Sequence, residues 1–425
     1  MAAEALGHLC SVCGPEFTNS EVQQLIDLIV SNREPHARAG CALALSSIHA
    51  QLGGMAAGFH LKNIASILMS LASDQHPTVH FWALESLQKV ADSAGLTFST
   101  HVSGSIGLLS QLYVFDSHNV EAASQASSNM EMELATTAVI ARCIDAVINV
   151  LGPDLQDMTK SRDMILTLMR QLQGENDPMV VVETMRCFEH VALYTPGHME
   201  FAQYVRQLQY YLSSPNAEIR EAALIALAEL MKRDTQEIVS TADTGLEDTL
   251  WDLLDREPDH PVIRGIFRNW LQQTVLKDTV DWIQRCSAML TKSKARPDNT
   301  PTTKTPRQAT GPDIQDDEIA GFAAAAGTKE EETATPTSSL ELMRWRVRLF
   351  AMDLLATLLA AVSQDSISSD ESPALSSVQQ HLADVIRIAF SASTAGVVSL
   401  RVRGLRLIDQ ILKVSQGFHH RALHG

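Results

Sequence analysis

A chain of 425 residues with 45% apolar residues can bury a sizeable core, and its length alone would suit roughly three globular domains. Aromatic residues are only 5%, while alanine and leucine dominate, a composition suited to closely packed helices and poorly suited to a β-sandwich. With 50 acidic against 33 basic residues and a formal net charge of −17, the surface repels phosphate, which argues against a nucleic-acid binder.

Taken in order, the chain reads as paired helices. Glu4 to Cys13 is helical in pattern, and Gly14-Pro15 breaks it. Thr18-Asn-Ser-Glu21 has the spacing of a capping box ahead of Val22, Leu25, Ile26, Ile29 and Val30. Glu34-Pro35 then starts a third helix, because proline's fixed φ suits a first turn and its missing N–H is not needed there. Cys41, Ala44, Leu45, Ile48 and Leu52 lie on one face of that helix, and Gly53 ends it.

The pattern then returns. A small or branched apolar residue, often followed by Arg, is joined by a small or apolar residue at the fourth position and a large apolar one at the eighth. Ala37-Arg38…Cys41…Leu45 is the first copy. Val79-His80…Ala83…Leu87 is the second, with Pro77 ahead and Gly95 behind. Further copies start at Thr136, Val180, Ile219, Ile263, Val347 and Leu400, the one at Thr136 being the weakest by residue type. Four of the seven spacings are 42, 44, 39 and 44, close to the ~40–47 residues of HEAT and armadillo units. The fold class expected is therefore all-α, a HEAT/armadillo-type solenoid of about eight helix pairs. Each pair's first helix is expected at His60 to Leu71, His101 to Val114, Arg162 to Gln173, Met199 to Leu212 and Leu246 to Leu254.

The long spacings hold insertions. Residues 116–133 are rich in Ser, Asn and Glu, and 292–339 carry five prolines, many threonines and the acidic blocks Asp316-Asp-Glu318 and Glu330-Glu-Glu332. Such a composition cannot bury enough apolar surface to offset chain entropy, so 292–339 is expected to be a disordered linker. Within it, Ile319 to Ala326 is read as an accidental apolar patch in preference to a partner-binding motif. The organisation expected is a six-repeat solenoid over 1–291, the linker, further HEAT-type helices over 340–415 and an unstructured tail over 416–425. Ser363 to Ser372 is expected to be a short loop. Neither end carries a polar capping helix, which suggests a piece of a longer protein.

No catalytic, cofactor-binding or metal-binding residue is assigned. Cys10-Ser-Val-Cys13 lacks the second pair a structural zinc needs, and His76/His80 lack a third ligand. His419, His420 and His424 fall in the expected tail. Phosphate-binding glycine loops and nucleophile elbows do not occur in the sequence. Acidic pairs such as Glu131/Glu133 and Asp252/Asp255 read as solvated faces, as does the basic run Arg401-Val-Arg403-Gly-Leu-Arg406. Lys292, Lys294 and Arg296 form another short basic fragment. The tryptophans at 82, 251, 270, 282 and 345 read as core. Six scattered cysteines (10, 13, 41, 143, 187 and 286) suggest reduced thiols in the cytosol. Neither a signal peptide nor an uninterrupted apolar run of membrane-spanning length is seen. The chain is expected to be no enzyme and to take no cofactor.

Beyond the repeat, longer stretches resemble the very large eukaryotic HEAT-repeat-containing protein 5 family. They are Ala39 to Leu45 with Gly53-Gly-Met55 and His60-Leu61, Trp82 to Leu87 with Asp92 to Gly95, and Gly152 to Gln156. Thr244 to Glu247 with Leu254 to Glu257, Arg344-Trp345 with Val347 to Ala351, and His381 to Phe390 continue the match collinearly over most of 39–412. The resemblance implies a scaffold partnering the clathrin adaptor complex of the trans-Golgi network and endosomes, with its accessory factors. It implies a cytosolic protein, held at Golgi, endosomal or endocytic membranes only through partners, and carries over no binding residue. A nuclear-transport receptor is the runner-up, since these also use acidic HEAT solenoids.

Overall fold

The computed structural model describes residues 1–118, 136–242, 245–257, 259–291, 339–368, 373–395 and 398–422. Among the described residues there is no strand. The chain is an all-α protein of the HEAT/armadillo class, divided into two compact units, Met1–Glu229 and Leu230–Gly425. The linker expected at 292–339 lies outside the described residues up to 338, as do Ile319 to Ala326 and most of the insertion at 116–133.

In the first unit the helices are α1 (Ala2–Cys13), α2 (Pro15–Ser31), α3 (Pro35–Leu71), α4 (Pro77–Ala94), α5 (Val102–His118), α6 (Thr136–Leu151), α7 (Thr159–Leu172), α8 (Pro178–Tyr194), α9 (Phe201–Leu212) and α10 (Ala217–Arg233), which runs on into the second unit. The long α3 is two helices in one, because Gly53 inside it has φ 77° and ψ 158° and breaks the helical path. Glycine alone takes that conformation without steric cost. So the predicted end at Gly53 and the partner helix up to Leu71 are both present. Helices α3, α4, α6 and α8 pack in succession, while α2, α5 and α7 pack beside them. This is the two-layer stack of helix pairs that the register predicts.

The turns before the repeat helices share one device. Glu34 accepts from the backbone N–H groups of His36 (3.2 Å) and Ala37 (2.6 Å). Asp177 accepts from Met179 N (2.8 Å) and Asn216 from Glu218 N (2.8 Å). Each cap satisfies orphan donors and is worth about 1 kcal/mol. The template arginine ties helix to turn. Arg38 bonds Asp74 at 2.5 Å in the next repeat's turn, Arg220 bonds Ser214 O at 2.8 Å, and Arg264 bonds Asp259 at 2.9 Å.

Three local readings are corrected. Helix α2 starts at Pro15, so Thr18 is interior to it and donates to Cys10 O and Gly14 O at 3.1 Å; the capping box at Thr18 does not form. The predicted loop at 363–372 is helical as far as Ser368, and the last helix continues to Ala422 through the stretch expected to be an unstructured tail. Periodicity faded at those ends because Ser and Gln replaced apolar residues, yet no glycine or proline falls within 363–368, and Gly417 alone does not stop the last helix.

In the second unit, α11 (Thr235–Thr241), α12 (Leu246–Arg256), α13 (Pro261–Thr274), α14 (Thr279–Thr291), α15 (Ser339–Ser368), α16 (Pro373–Ser393) and α17 (Val398–Ala422) follow. Here α14 packs on α15, with Leu290 in one buried cluster with Ala351, Met352, Ala392 and Leu400. The two sides of the 292–338 segment are thus partners within one helix pair. Polypeptides ending at residue 291 and starting at residue 339 are expected to copurify when coexpressed, and independent elution on size exclusion would contradict that packing. Residues 346–365 of α15 are long and apolar enough to cross a membrane by length and composition. Val347, Phe350, Leu354, Leu355, Leu358 and Val362 are buried within the unit, so this apolarity is that of a core helix.

Candidate interaction surface

Side-chain bonds between successive helices recur at one repeat's distance in the first unit. Lys89 bonds Ser47 (3.1 Å) and His49 bonds Ser93 (2.8 Å) between α3 and α4. Between α4, α6 and α8, Arg142 pairs with Glu85 (2.6 Å) and Glu183 (3.9 Å), and Arg186 also holds Glu183 (2.9 Å). One turn further along, His190 Nδ1 donates to Asp145 at 2.6 Å. Beneath this polar ladder the thiols of Cys143 and Cys187 donate to Leu84 O and Ala141 O, both at 3.3 Å. Both cysteines sit seven residues after their repeat starts and reach the carbonyl five residues after the preceding start, so the repeat register is written in the bonds.

The environment sets the charges. Hydrogen bonding to Asp145, against the cost of burial, raises the His190 imidazole's pKa and favours its charged form. Glu183, buried, is raised by desolvation first and then pulled back by Arg186 and Arg142. Asp92 is pushed up to about 6, by desolvation first and then by Asp145. Its side chain lies close to withdrawn groups, yet the residue is exposed, so solvent screens that effect and it contributes little to stability. Cys143 and Cys187 are raised by burial and are inert thiols.

His49 is the outlier. It is fully buried, its Nε2 has no partner among the described residues, and its pKa is lowered to about 4, by burial first and then by His60. A histidine neutral in the fold but protonated when unfolded contributes stability above about pH 6.5 that is lost as pH falls toward 4. About 2–3 kcal/mol of first-unit stability is expected to go over that window. Thermal melts at pH 7 and pH 4.5 check it, and His49→Gln should flatten the difference.

Beside the ladder, α7, α8 and α9 enclose a cleft of about 310 Å³ lined by Arg170, Phe188, His198, Glu200 and Tyr204 among others. Phe188 stacks on Tyr204 at 5.3 Å, and the Tyr204 hydroxyl donates to Met185 O at 3.2 Å. Aromatic floor and charged rim suit a side chain or short peptide.

The sequence-stretches singled out for chemistry are scattered. Cys10 is buried and Cys13 exposed; His76 precedes α4 and His80 bonds Ala72 O. Among the described residues no three His, Cys, Asp or Glu side chains gather as a metal site. Trp251, Trp270 and Trp282 are buried, and Trp82 is half-buried. Asp252 is exposed and Asp255 half-buried. The side chains of Trp345, Glu131, Glu133, Lys292, Lys294, Arg296, His419, His420 and His424 lie outside the described residues. The ladder residues Arg142, Asp145, Glu183 and His190 were not foreseen, although Glu85, Arg142 and Arg186 each fall six residues after a repeat start.

Helix pairs in a 39–44-residue rhythm define a helical-repeat protein. No protein-family model matches the chain. Protein SWEETIE of Arabidopsis thaliana is 25% identical over 426 residues, a stretch that is 97% of this chain and 18% of that protein. The chain thus spans about a fifth of the length of this curated relative. Among solved structures, a mutant of Kap121p gives a TM-score of 0.48 at 13% identity, covering 99% of this chain and 38% of that one. Kap121p itself gives 0.44 at 12%, covering 97% and 43%. An engineered protein gives 0.40 at 16%, covering 96% and 94%.

Proposed function

We propose that the chain is a non-enzymatic protein-binding scaffold that serves clathrin-adaptor-dependent traffic between endosomes and the Golgi. The architecture supports the scaffold part, since stacked pairs expose long helix faces and the ladder spends its charged groups on holding neighbouring helices in register. The collinear resemblance over 39–412 carries the trafficking part. In this reading the partners are adaptor subunits and their accessory factors, and the protein is cytosolic, at Golgi, endosomal or endocytic membranes only through them.

Crosslinked affinity purification of the tagged chain from cells of its source tests this. Enrichment of adaptor and clathrin subunits over a ladder-free helical control is the expected result. Recovery of a nuclear GTPase in its GTP form, with nucleoporins, would replace this reading by that of a nuclear-transport receptor. Recovery of a phosphatase catalytic subunit would overturn both.

A further inference from the structure

The cleft between α7 and α9 lies inside the stack of the first unit. Helix α5 packs on α7 ahead of it, and α10 follows α9. A solenoid repeat touches only its neighbours. The neighbours of this cleft on both sides are therefore in place, and it stays open between them. Its floor is apolar and buried, with Leu166 from α7, Phe188 from α8 and Tyr204 from α9. A relay across the two walls closes one end. The Gln173 amide donates to Gln207 and the Gln207 amide to the Tyr211 hydroxyl, each at 2.8 Å. A volume of about 310 Å³ stands at the low end of the ~300–1,000 Å³ of ligand pockets. That is room for one large side chain and its flanks, and too little for a helix.

The rim differs from the ladder in what its polar groups do. On the ladder Arg142, Arg186, Glu183 and His190 are all held by groups of the same chain. Around the cleft, the side chains of Arg170, His198, Glu200 and Gln203 are exposed and form no hydrogen bond or ion pair among the described residues. Arg170 belongs to α7 and Glu200 immediately precedes α9, so the two walls offer opposite charges. A guanidinium presents a planar fork of donors that matches a carboxylate, and an unpaired glutamate matches an ammonium or guanidinium. A ligand charged with one sign throughout would be repelled at one wall. The stacked rings of Phe188 and Tyr204 favour a third aromatic ring between those charges. We propose that the cleft docks an extended segment of a partner protein, in which an aromatic side chain is flanked by a carboxylate on one side and a lysine or arginine on the other. This rests on the scaffold reading and is indifferent to whether adaptor subunits are the partners, so the purification above and the titration below can fail separately.

The probes are fluorescein-labelled nine-residue peptides with a central phenylalanine, and with aspartate and lysine two residues to either side, made in both orders. Anisotropy titration with the full chain is expected to show saturable binding of one order, at least about tenfold tighter than the same peptide with serine in place of phenylalanine. Arg170→Glu should weaken that binding about fivefold or more while leaving the thermal melt unchanged. The same variant should bind the peptide with lysine in both flanking positions about fivefold or more tighter than the parent chain does, a gain that a merely structural role of Arg170 would not give. Glu200→Arg, tested with the peptide carrying aspartate in both positions, serves if Arg170→Glu fails to fold. Absence of saturable binding, indifference to the loss of the phenyl ring, or indifference to the charge reversals would overturn the proposal. So would two results that name another occupant: a dimer by light scattering that Arg170→Glu dissociates, or displacement of the peptide by free phenylalanine at equal concentration.

Discussion

Gly404→Val is expected to destabilise the second unit by about 3 kcal/mol or more, at the upper end of the cost of overpacking a core. A Cβ built on Gly404 would stand 2.4 Å from Ser393 N and 2.8 Å from Ala392 C and Ser393 Cα. All three are backbone atoms of α16, so no side chain can swing aside, and α17 must move off its neighbour. Helix propensity works the other way, since glycine in a helix interior is worse than alanine by about 1 kcal/mol. The clash outweighs that gain. Gly265, also inside a helix, is the control: a Cβ there meets nothing within 4 Å. Gly265→Ala is therefore expected to leave stability unchanged or raise it by about 0.5–1 kcal/mol. Urea denaturation of the pair reads both signs, and a Gly404→Val chain as stable as the parent would show that α16 and α17 do not meet closely.

Gly404 also shows what was legible in the sequence. Four residues after Leu400, the last repeat start, it fits the template's small position, but nothing in the sequence says which backbone it packs against. The same template located Pro35 and Pro77, both first residues of helices, and Gly53 and Gly95, both at positive φ. These are local properties of proline and glycine, which is why they could be read. The short α11 and the pairing of α14 with α15 were not read. The first has too few residues to show a period. The second joins residues far apart in sequence, and no local pattern reports which helix a stretch packs against. The ladder falls between these cases. Glu85, Arg142 and Arg186 each sit six residues after their repeat starts, but a charged residue on a helix reads as solvated until its neighbour 41–57 residues away is in view.

Phe267→Ala is expected to cost about 3–5 kcal/mol, the price of deleting a phenyl ring from a core that closes only partly behind it. Phe267 is fully buried and lies at the centre of four rings, 4.0 Å from Trp251 and 6.3 Å from both Trp270 and Phe350. Trp270 in turn meets Trp282 edge-on at 5.4 Å, and the Trp282 indole donates to Thr274 at 2.8 Å. One phenyl ring therefore joins α12, α13 and α15, elements that lie on both sides of the 292–338 segment. A domain has about 5–15 kcal/mol in all, so this loss removes a large share of the second unit's stability. The cation–π contacts of Arg264 and Arg268 on Phe350, at 5.3 and 5.5 Å, survive the change. Each is worth about 0.5–1 kcal/mol where the arginine is near solvent, too little to compensate. Phe390 in the same unit is 64% exposed, and Phe390→Ala should shift stability by less than about 0.5 kcal/mol. Denaturant melts followed by tryptophan fluorescence compare the two. Equal, small effects would mean that the aromatic cluster is not the core of this unit, and the pairing of α14 with α15 would then have to hold the two sides of the 292–338 segment together alone.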